Sequence, residues 1–502
     1  LNLEFKQKAK YRLILTNNNT ALMKNTNAMM IKKTTAVLFI SLFLSVNIYA
    51  QQDNTIHLIP VIPQSAYTNP AFNPTPKLYI GFPALSSLNI SIGHSGFAYS
   101  DLFTRRADDS LEITVDKVIE KLGKTNHITA NINEEIIAFG FKAKKNYFSF
   151  NITEKVAFRF TYPRDLIKLA WEGNGQFVGS EADFSGIGLN ASYYREYGLG
   201  YSREIKIAQK DFVVGGRLKF LYGKANIYTE QSNINLGIND ENYAHTINTQ
   251  FLINFNLPDK VIMELDSLGK DSFNNTASKF DFGQFLLNKS NKGMAIDLGI
   301  FHKLNNKFSF GLSLIDLGYI NWKPGEGNSI RNYSCNINSY TFDGIDFIND
   351  TAWQDHLSDT LNQLFHFTNT KNEYKIPLPS RIYLSGIYSI NSNNKVGLLF
   401  RNEFFDGKYI PAVTASFNKR FGRMFSASAA YSIMNKSYTN LGFGMALNLG
   451  PFQTYVTSDN LSCLFAPTKT KNVNIHFGIN YVFGLKEKKP TQSLFEDTPE
   501  IL

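Results

Sequence analysis

The residue types that most often bind metals or carry catalysis are scattered along this chain. The two cysteines, Cys335 and Cys463, are too far apart for a Cys-x-x-Cys site. The sequence contains no His-Glu-x-x-His, Gly-x-Ser-x-Gly or phosphate-binding Gly-x-x-x-x-Gly-Lys-Ser/Thr motif. The eight histidines follow no ligand spacing: His57, His94, His127, His245, His302, His356, His366 and His476. We therefore predict neither an enzyme nor a cofactor or metal site.

A second set of polar residues alternates with large apolar residues, which is the pattern of the inner face of a membrane barrel. Arg217 and Lys219, for example, alternate with Leu218 and Phe220. The candidates that we expect to face a lumen are Asp297, Arg217, Lys219, Asn448, Asn474, His476 and Asn480. Such residues suit either a charge-balanced filling of the interior or a selective filter. Asp316 breaks the pattern, because its parity matches that of outward-facing residues. This predicts either a bulge that shifts the register or a strand that has already left the membrane at this point.

The last strand-like segment displays the alternation clearly. From Val473 to Phe483 every odd position is large and apolar, and the even positions are mostly small or polar. A period of two indicates a strand with one apolar face. A length of about ten residues is enough for a tilted strand to cross a bilayer.

The same pattern recurs along most of the chain. It predicts an all-β fold, a transmembrane antiparallel β-barrel of fourteen strands with its wall between residues 86 and 484. The predicted strands are 86–97, 134–143, 147–162, 186–205, 211–229, 292–304, 307–322, 380–391, 395–405, 409–420, 423–434, 438–449, 451–458 and 473–483. A count of twelve or sixteen stays open.

The connections between these strands fall into a short set and a mostly long set. Short turns such as Asn305-Asn306 alternate with long segments such as 98–133, 230–291 and 323–379. Outer-membrane barrels have short periplasmic turns and longer external loops. Some long segments carry a helical pattern, as in Val115 to Leu122 and Trp353 to Leu364, so we expect partly helical extracellular loops.

The ends of the chain have different characters. Residues 51–85 are rich in proline and asparagine, which excludes a central strand, and we predict an N-terminal plug segment at the periplasmic mouth. Residues 30–50 have a basic start and an eleven-residue apolar core, which predict a secretory signal peptide cleaved near Ala50/Gln51. Residues 1–29 have the character of an over-extended start, and 485–502 that of a disordered periplasmic tail.

Charge and composition agree with this interpretation. The formal net charge is +9, but residues 1–50 contain seven of the basic residues and one Glu, so the remainder is close to neutral. We therefore expect no nucleic-acid partner. Aromatic residues reach 14%, and the mean hydropathy of −0.20 is too polar for a helical membrane protein. Two cysteines do not make a disulfide framework, and we predict that they are independent, while a disulfide between them stays open.

Several short strings, taken in order, resemble an uncharacterised family of outer-membrane barrels from Bacteroidota, a domain of unknown function. Near the predicted start these are Asn69-Pro70-Ala71, and at the end Gly478 to Gly484. The strings between them are 292–299, 310–318 with Trp322, 342–347, 449–453 and Asp459-Asn460. The resemblance implies an outer-membrane location and a barrel similar to the fatty-acid channel FadL and the type IX secretion protein PorV.

Two functions follow as hypotheses. The first is a FadL-like passive conduit for a small apolar compound, with outer-membrane lipid and a small hydrophobic ligand as partners. The second is a PorV-like scaffold or surface-assembly accessory without transport, whose partner would be a secretion or surface-complex protein.

Overall fold

The computed structural model describes residues 53–262, 282–325, 327–342, 368–405, 407–434, 437–465, 467–484. The predicted signal peptide, the segment before it, the helical pattern of 353–364 and the C-terminal tail lie outside these residues. The strands of the described residues are β1 Leu78–Gly81, β2 Leu88–His94, β3 Phe103–Arg105, β4 Leu111–Ile113, β5 Thr125–Ala143, β6 Asn146–Pro163, β7 Ser180–Asp183, β8 Gly188–Ile207, β9 Lys210–Ile238, β10 His245–Pro258, β11 Asn291–Lys303, β12 Phe308–Trp322, β13 Asn328–Phe342, β14 Thr368–Thr370, β15 Tyr374–Pro377, β16 Ser380–Ser389, β17 Asn394–Phe405, β18 Lys408–Phe421, β19 Phe425–Met434, β20 Ser437–Leu449, β21 Phe452–Ser458 and β22 Asn472–Phe483.

Helices are short and lie outside the sheet. They are α1 Asn54–His57, α2 Val115–Lys121, α3 Arg164–Glu172, α4 Phe282–Leu287 and α5 Ser462–Phe465. Single turns of 3₁₀-helix occur at Pro63–Tyr67, Tyr99–Leu102, Gly175–Phe177 and Pro467–Lys469. Within the described residues, no helix has both the length and the apolar character needed to cross a membrane.

Fourteen antiparallel strands close into a barrel, as predicted. The order around the wall is β2, β5, β6, β8, β9, β11, β12, β16, β17, β18, β19, β20, β21 and β22. The ring closes because β2 pairs with β22 on one side and with β5 on the other. Strand β1 lies within the range predicted for the plug. It pairs with β22 and β5, the same two neighbours as β2, and therefore shares the place of β2 in the ring.

The alternation of the sequence becomes an alternation of burial. In β22 the residues from Asn472 to Val482 at even positions are buried, whereas Val473 and Ile475 are about two-fifths exposed. Outward-facing Leu312, Leu398 and Leu441 are likewise exposed. A soluble core would bury such side chains, so the outer surface has the apolar character that a lipid-facing band requires.

The two rims of the barrel differ. At the short-turn rim, tight connections such as 144–145, 208–209 and 450–451 join neighbouring strands. Gly422 and Gly450 adopt positive φ there, which L side chains rarely tolerate. At the long-loop rim, β9 continues beyond the wall and pairs with β10, which pairs with β13. The predicted helix from Val115 is present at this rim as α2.

Candidate functional site

An N-terminal segment, residues 53–76, lies against the inner wall of the barrel. Leu58 packs with Ile315, Tyr383 and Leu399 from three wall strands. A second contact places Ala71 and Phe72 against Val213 and Phe301, and a third places Ile56, Ile59 and Ile62 against Ala446 and Tyr455. The segment therefore touches strands from opposite parts of the ring.

Polar contacts fix this segment at its start and near its middle. The carboxylate of Asp459 accepts hydrogen bonds from the backbone N–H groups of Asn54 at 3.1 Å and Thr55 at 2.7 Å. The side-chain amide of Gln64 donates to Asn480 at 2.9 Å, and Ser313 Oγ donates to the carbonyl of Thr68 at 2.6 Å. These bonds satisfy polar backbone groups that would be costly to bury unpaired.

Two wall glycines allow the segment to approach closely. A Cβ atom built on Gly215 would lie 2.2 Å from the carbonyl oxygen of Pro70, and one on Gly299 would lie 2.2 Å from Asn69 Oδ1. No side chain fits at either position without displacing the Asn69-Pro70-Ala71 turn. Gly215 in β9 and Gly299 in β11 thus leave the space that the backbone of this turn occupies.

A buried ionic cluster occupies the interior beside the segment. Lys219 Nζ lies 2.7 Å from Asp297 Oδ2 and 2.5 Å from Asp316 Oδ1. Glu196 pairs with Lys155 at 2.6 Å and approaches Arg217 at 3.5 Å. Each carboxylate is thereby compensated by a cation, which buried charges require.

Arg381 connects this cluster to the N-terminal segment. Its guanidinium pairs with Asp316 and lies 3.4 Å from Asp53 Oδ2. Asp53 also accepts a hydrogen bond from the Asn89 amide at 2.8 Å. Burial raises the pKa of the Asp53 carboxyl above its ordinary value, and the positive charges of Arg381, Arg401 and Lys155 oppose this rise.

The position of Asp316 depends on a bulge. Its φ is +60°, and the register between β11 and β12 shifts between Ile296 and Leu298. The shift turns the carboxylate inward, and the backbone N–H of Asp316 donates to Asp297 Oδ1 at 2.7 Å. The structure thus has the bulge that the parity of Asp316 predicted.

A cavity of about 150 Å³ lies on the N-terminal segment. Asp53, Ile56, Gln64 and Tyr67 from the segment contribute to its lining. Wall strands contribute charged residues of the cluster, a band of amides and hydroxyls, and an apolar part that includes Trp322. The cavity has polar and apolar walls in the same small space.

The predicted lumen-facing residues are all buried but do not form one site. Arg217 and Lys219 line the cavity and pair within the ionic cluster, to which Asp297 also belongs. His476 lines the cavity too, with Nε2 2.7 Å from Ser87 Oγ.

The three asparagines of the predicted set have separate partners. Asn474 donates to Asn89 at 2.9 Å, and Asn480 donates to Gln64 at 3.0 Å. Asn448 donates to the carbonyl of Arg423 near the short-turn rim and does not belong to the cavity lining.

Several residues of the site were missed by sequence reasoning. They are Asp53, Lys155, Glu196 and Arg381, together with Glu403, which lies 3.6 Å from Arg159. For all of them except Asp53, which lies in no strand, the parity of the strand was a usable signal for an inward direction. Their pairing was not readable, because it depends on which strands the closed ring brings together.

Among the described residues, no group of three or more His, Cys, Asp or Glu side chains could hold a metal ion. In the same part of the chain, Cys335 is buried with a free thiol. The side chain of Cys463 lies outside the described residues, so the independence of the two cysteines stays a prediction.

Fold and site together define a closed fourteen-stranded barrel with a polar, charge-paired interior. The chain belongs to a family of unknown function, DUF5723, whose model matches residues 70–459. A comparison with curated proteins gives no match.

Among solved structures, the fold is similar to that of a FadL homologue from Pseudomonas aeruginosa, with 10% identity, a TM-score of 0.40 and coverage of 88% of this chain and 100% of the other. The toluene transporter TbuX of Ralstonia pickettii gives 9% identity, a TM-score of 0.37 and coverage of 84% and 93%. The toluene transporter TodX of Pseudomonas putida gives 10% identity, a TM-score of 0.32 and coverage of 87% of this chain and 94% of the other. At these values the likeness concerns the fold and assigns no ligand.

Proposed function

We propose that the protein is an outer-membrane barrel acting as a passive conduit for a small, largely apolar compound. The observation that carries the proposal is the cavity of about 150 Å³ that lies directly on the N-terminal segment inside a closed barrel. A conduit needs a place where its cargo rests and a movable part that limits leakage, and the cavity and the segment supply candidates for both.

The surface of the barrel supports the membrane part of this proposal. Exposed leucines, isoleucines and phenylalanines encircle the wall, as a lipid-facing band requires. Short turns and long loops then orient the protein, with the short-turn rim toward the periplasm and the long-loop rim outside. The predicted signal peptide provides the export route.

The N-terminal segment is the proposed plug. A fourteen-stranded barrel is wider than its wall side chains alone can fill. Leu58, Ala71 and Phe72 contact five different wall strands and form apolar bulk across the interior. In this proposal the cargo waits in the cavity until residues 53–76 shift.

The test is a mild-detergent purification of a tagged copy from its own outer membrane, with bound proteins and small molecules identified by mass spectrometry. The proposal expects a barrel without a stoichiometric protein partner and with one enriched small, mostly apolar molecule. A stoichiometric protein partner and no enriched small molecule would instead support the scaffold or surface-assembly role and would overturn the conduit.

A further inference from the structure

The charges in the cavity lining already have partners, which are opposite charges for most of them and the neutral side chains of Gln64 and Tyr67 for Glu135. Lys155 pairs with Glu196 at 2.6 Å, and Lys219 pairs with Asp316 at 2.5 Å. Arg381 is held between Asp316 and Asp53, while Arg217 bonds Asn151 and lies over the ring of Tyr67. A charged ligand would have to give up its hydration without gaining a free counter-charge, and burying an unpaired charge is costly.

Uncharged hydrogen-bonding groups form a separate part of the lining. They come from the inward faces of β5, β8 and β9, and they are Thr129, Asn131, Asn133, Asn190, Ser192 and Asn226. An asparagine amide can both donate and accept. Most of these groups already bond within the protein but keep further donors and acceptors. A ligand without polar atoms would displace water from those remaining positions and return no hydrogen bond, which lowers affinity.

An apolar part completes the lining. Tyr194, Ile320, Trp322, Ile376 and Leu378 belong to one buried cluster, and all of them line the cavity. Gly223 lies under the Trp322 ring, where an added Cβ would come within 2.6 Å of the ring atoms. The indole is therefore tightly held.

Trp322 also carries an unused donor. Its side chain is 99% buried, and its indole Nε1 has no hydrogen-bond partner among the described residues. An unpaired buried donor is uncommon in folded proteins. A polar ligand could supply the missing acceptor.

Resting on the proposed conduit function, we infer that the cargo is an uncharged compound of about one ring in size, with an apolar body and at least one hydroxyl, carbonyl or amide group. The size follows from the volume, because an apolar cavity of about 150 Å³ holds one benzene-sized molecule. The polar group is directed to the asparagine-rich part or to the indole N–H of Trp322, and the apolar body packs on Ile320, Ile376 and Leu378.

The experiment measures binding through the tryptophan in the cavity. Trp171 and Trp353 are the other two tryptophans of the chain, so the Trp171→Phe/Trp353→Phe protein has Trp322 as its single reporter. The purified barrel is titrated with methylcyclohexane, cyclohexanol, cyclohexylamine and cyclohexanecarboxylate. These probes share one ring and differ in the polar group.

Cyclohexanol should bind most tightly. We expect it to exceed methylcyclohexane by about fivefold, the range of one net hydrogen bond, and to exceed both charged probes by about tenfold or more. Asn133→Leu should reduce the preference for cyclohexanol over methylcyclohexane, and Asn369→Leu, on the exposed strand β14, should leave it unchanged.

The outcomes distinguish a failure of this inference from a failure of the proposed conduit function. Methylcyclohexane binding as tightly as cyclohexanol would overturn the inference and leave the conduit for apolar compounds standing. Tightest binding of a charged probe would overturn the inference as well. If no probe binds and no small molecule is enriched on purification from the native membrane, both the inference and the proposed function are wrong.

Discussion

At the scale of single residues, Lys219 is the side chain on which the buried ionic cluster depends. It is 2% exposed and lies between Asp297 and Asp316. Lys219→Met would leave two carboxylates short of a cation in a water-poor interior, and such a loss typically costs about 3–5 kcal/mol. The urea midpoint of unfolding, followed by the shift of the folded barrel on unheated gels, should fall accordingly.

A matched exposed pair provides the control. Lys323 and Glu373 are 3.0 Å apart with about half of each side chain exposed. Exposed ion pairs contribute about 0–1 kcal/mol, so Lys323→Met should hardly move the midpoint. Equal midpoints for the two variants would mean that the interior cluster is well hydrated.

His57 makes the seating of the N-terminal segment sensitive to acid. Its imidazole stacks on Tyr383, touches Phe72 edge-on and has Nδ1 2.9 Å from Thr68 Oγ1. Burial lowers its pKa from 6.5 to about 3. Between these values the unfolded chain binds a proton that the folded chain does not, so stability is complete above pH 6.5 and declines as the pH falls toward 3.

The corresponding prediction compares urea midpoints at pH 7.5 and pH 4.5. His57→Gln cannot take up the proton and should reduce the acid-induced drop in the midpoint. His302→Gln, at the partly exposed end of β11, should retain the drop of the unmodified protein. An identical drop in all three proteins would show that other groups govern the acid response.

At the scale of elements, β9 and the Asn69-Pro70-Ala71 turn fit each other through Gly215. Gly215→Ala puts a methyl group where the Pro70 carbonyl oxygen lies 2.2 Å away, so either the turn or the strand must move. Overpacking of this kind costs about 1–3 kcal/mol. Hydrogen exchange of residues 69–73 should increase and the urea midpoint should fall.

The neighbouring residue is the control for that strand. A Cβ on Gly216 meets only ordinary contacts, 3.5 Å from the Asp297 carbonyl oxygen and 3.9 Å from Leu298. Gly216→Ala should therefore change stability by no more than about 0.5 kcal/mol. The proposed close fit is wrong if residues 69–73 show the same hydrogen-exchange rates in the two alanine variants.

A disulfide can test whether the N-terminal segment must move. An added Cβ on Gly442 would lie 2.7 Å from Thr55 Oγ1, which suits a disulfide between cysteines at these positions. In a protein with Cys335 and Cys463 replaced by alanine, oxidised Thr55→Cys/Gly442→Cys should lower the rate of cellular uptake of radiolabelled cyclohexanol, the one-ring probe used above, by about fivefold or more. The expectation rests on the proposed plug.

Reductant and single variants complete this experiment. Reduction should restore uptake, and Thr55→Cys or Gly442→Cys alone should not respond to oxidation. Undiminished uptake through the oxidised double variant would mean that cargo passes without displacement of residues 53–58.

The wall strands could be predicted from sequence more completely than the outer ones. The predicted strand 473–483 differs from β22 by one residue, because apolar residues there must alternate to meet lipid on one face only. Strands β10 and β13 lie in the stretch predicted as long loops. They continue beyond the wall and carry polar residues on both faces, as in Thr246 to Gln250, so period two is lost.

The same limit applies to the site. Parity was enough to predict inward directions for Lys219 and Asp297. It could not reveal that Asp316 joins them, because the bulge in β12 reverses its direction. Nor could it pair Glu196 with Lys155, since that contact needs the register between β6 and β8.

At the scale of the whole molecule, the barrel reverses the usual distribution of side chains. Leu398 is 59% exposed on the outer surface, whereas Arg401, three residues later in the same strand, is fully buried. Closing the sheet leaves no free edge in the wall, so every wall strand is paired on both sides. Such a molecule gains from its apolar exterior only if lipid covers it.

Membrane insertion is therefore tested most directly by the free-energy cost of a charge placed at two different depths of this outer surface. Leu398 and Leu449 both face outward and are 59% and 51% exposed, but Leu398 is central in β17 and Leu449 ends β20 beside the turn at Gly450. Leu398→Arg should cost about 2–4 kcal/mol in lipid vesicles, and Leu449→Arg about 0–1 kcal/mol, because the penalty falls from the midplane to the interface. Refolding into vesicles from urea measures both. Equal penalties would contradict a bilayer around this wall, since water imposes no dependence on depth.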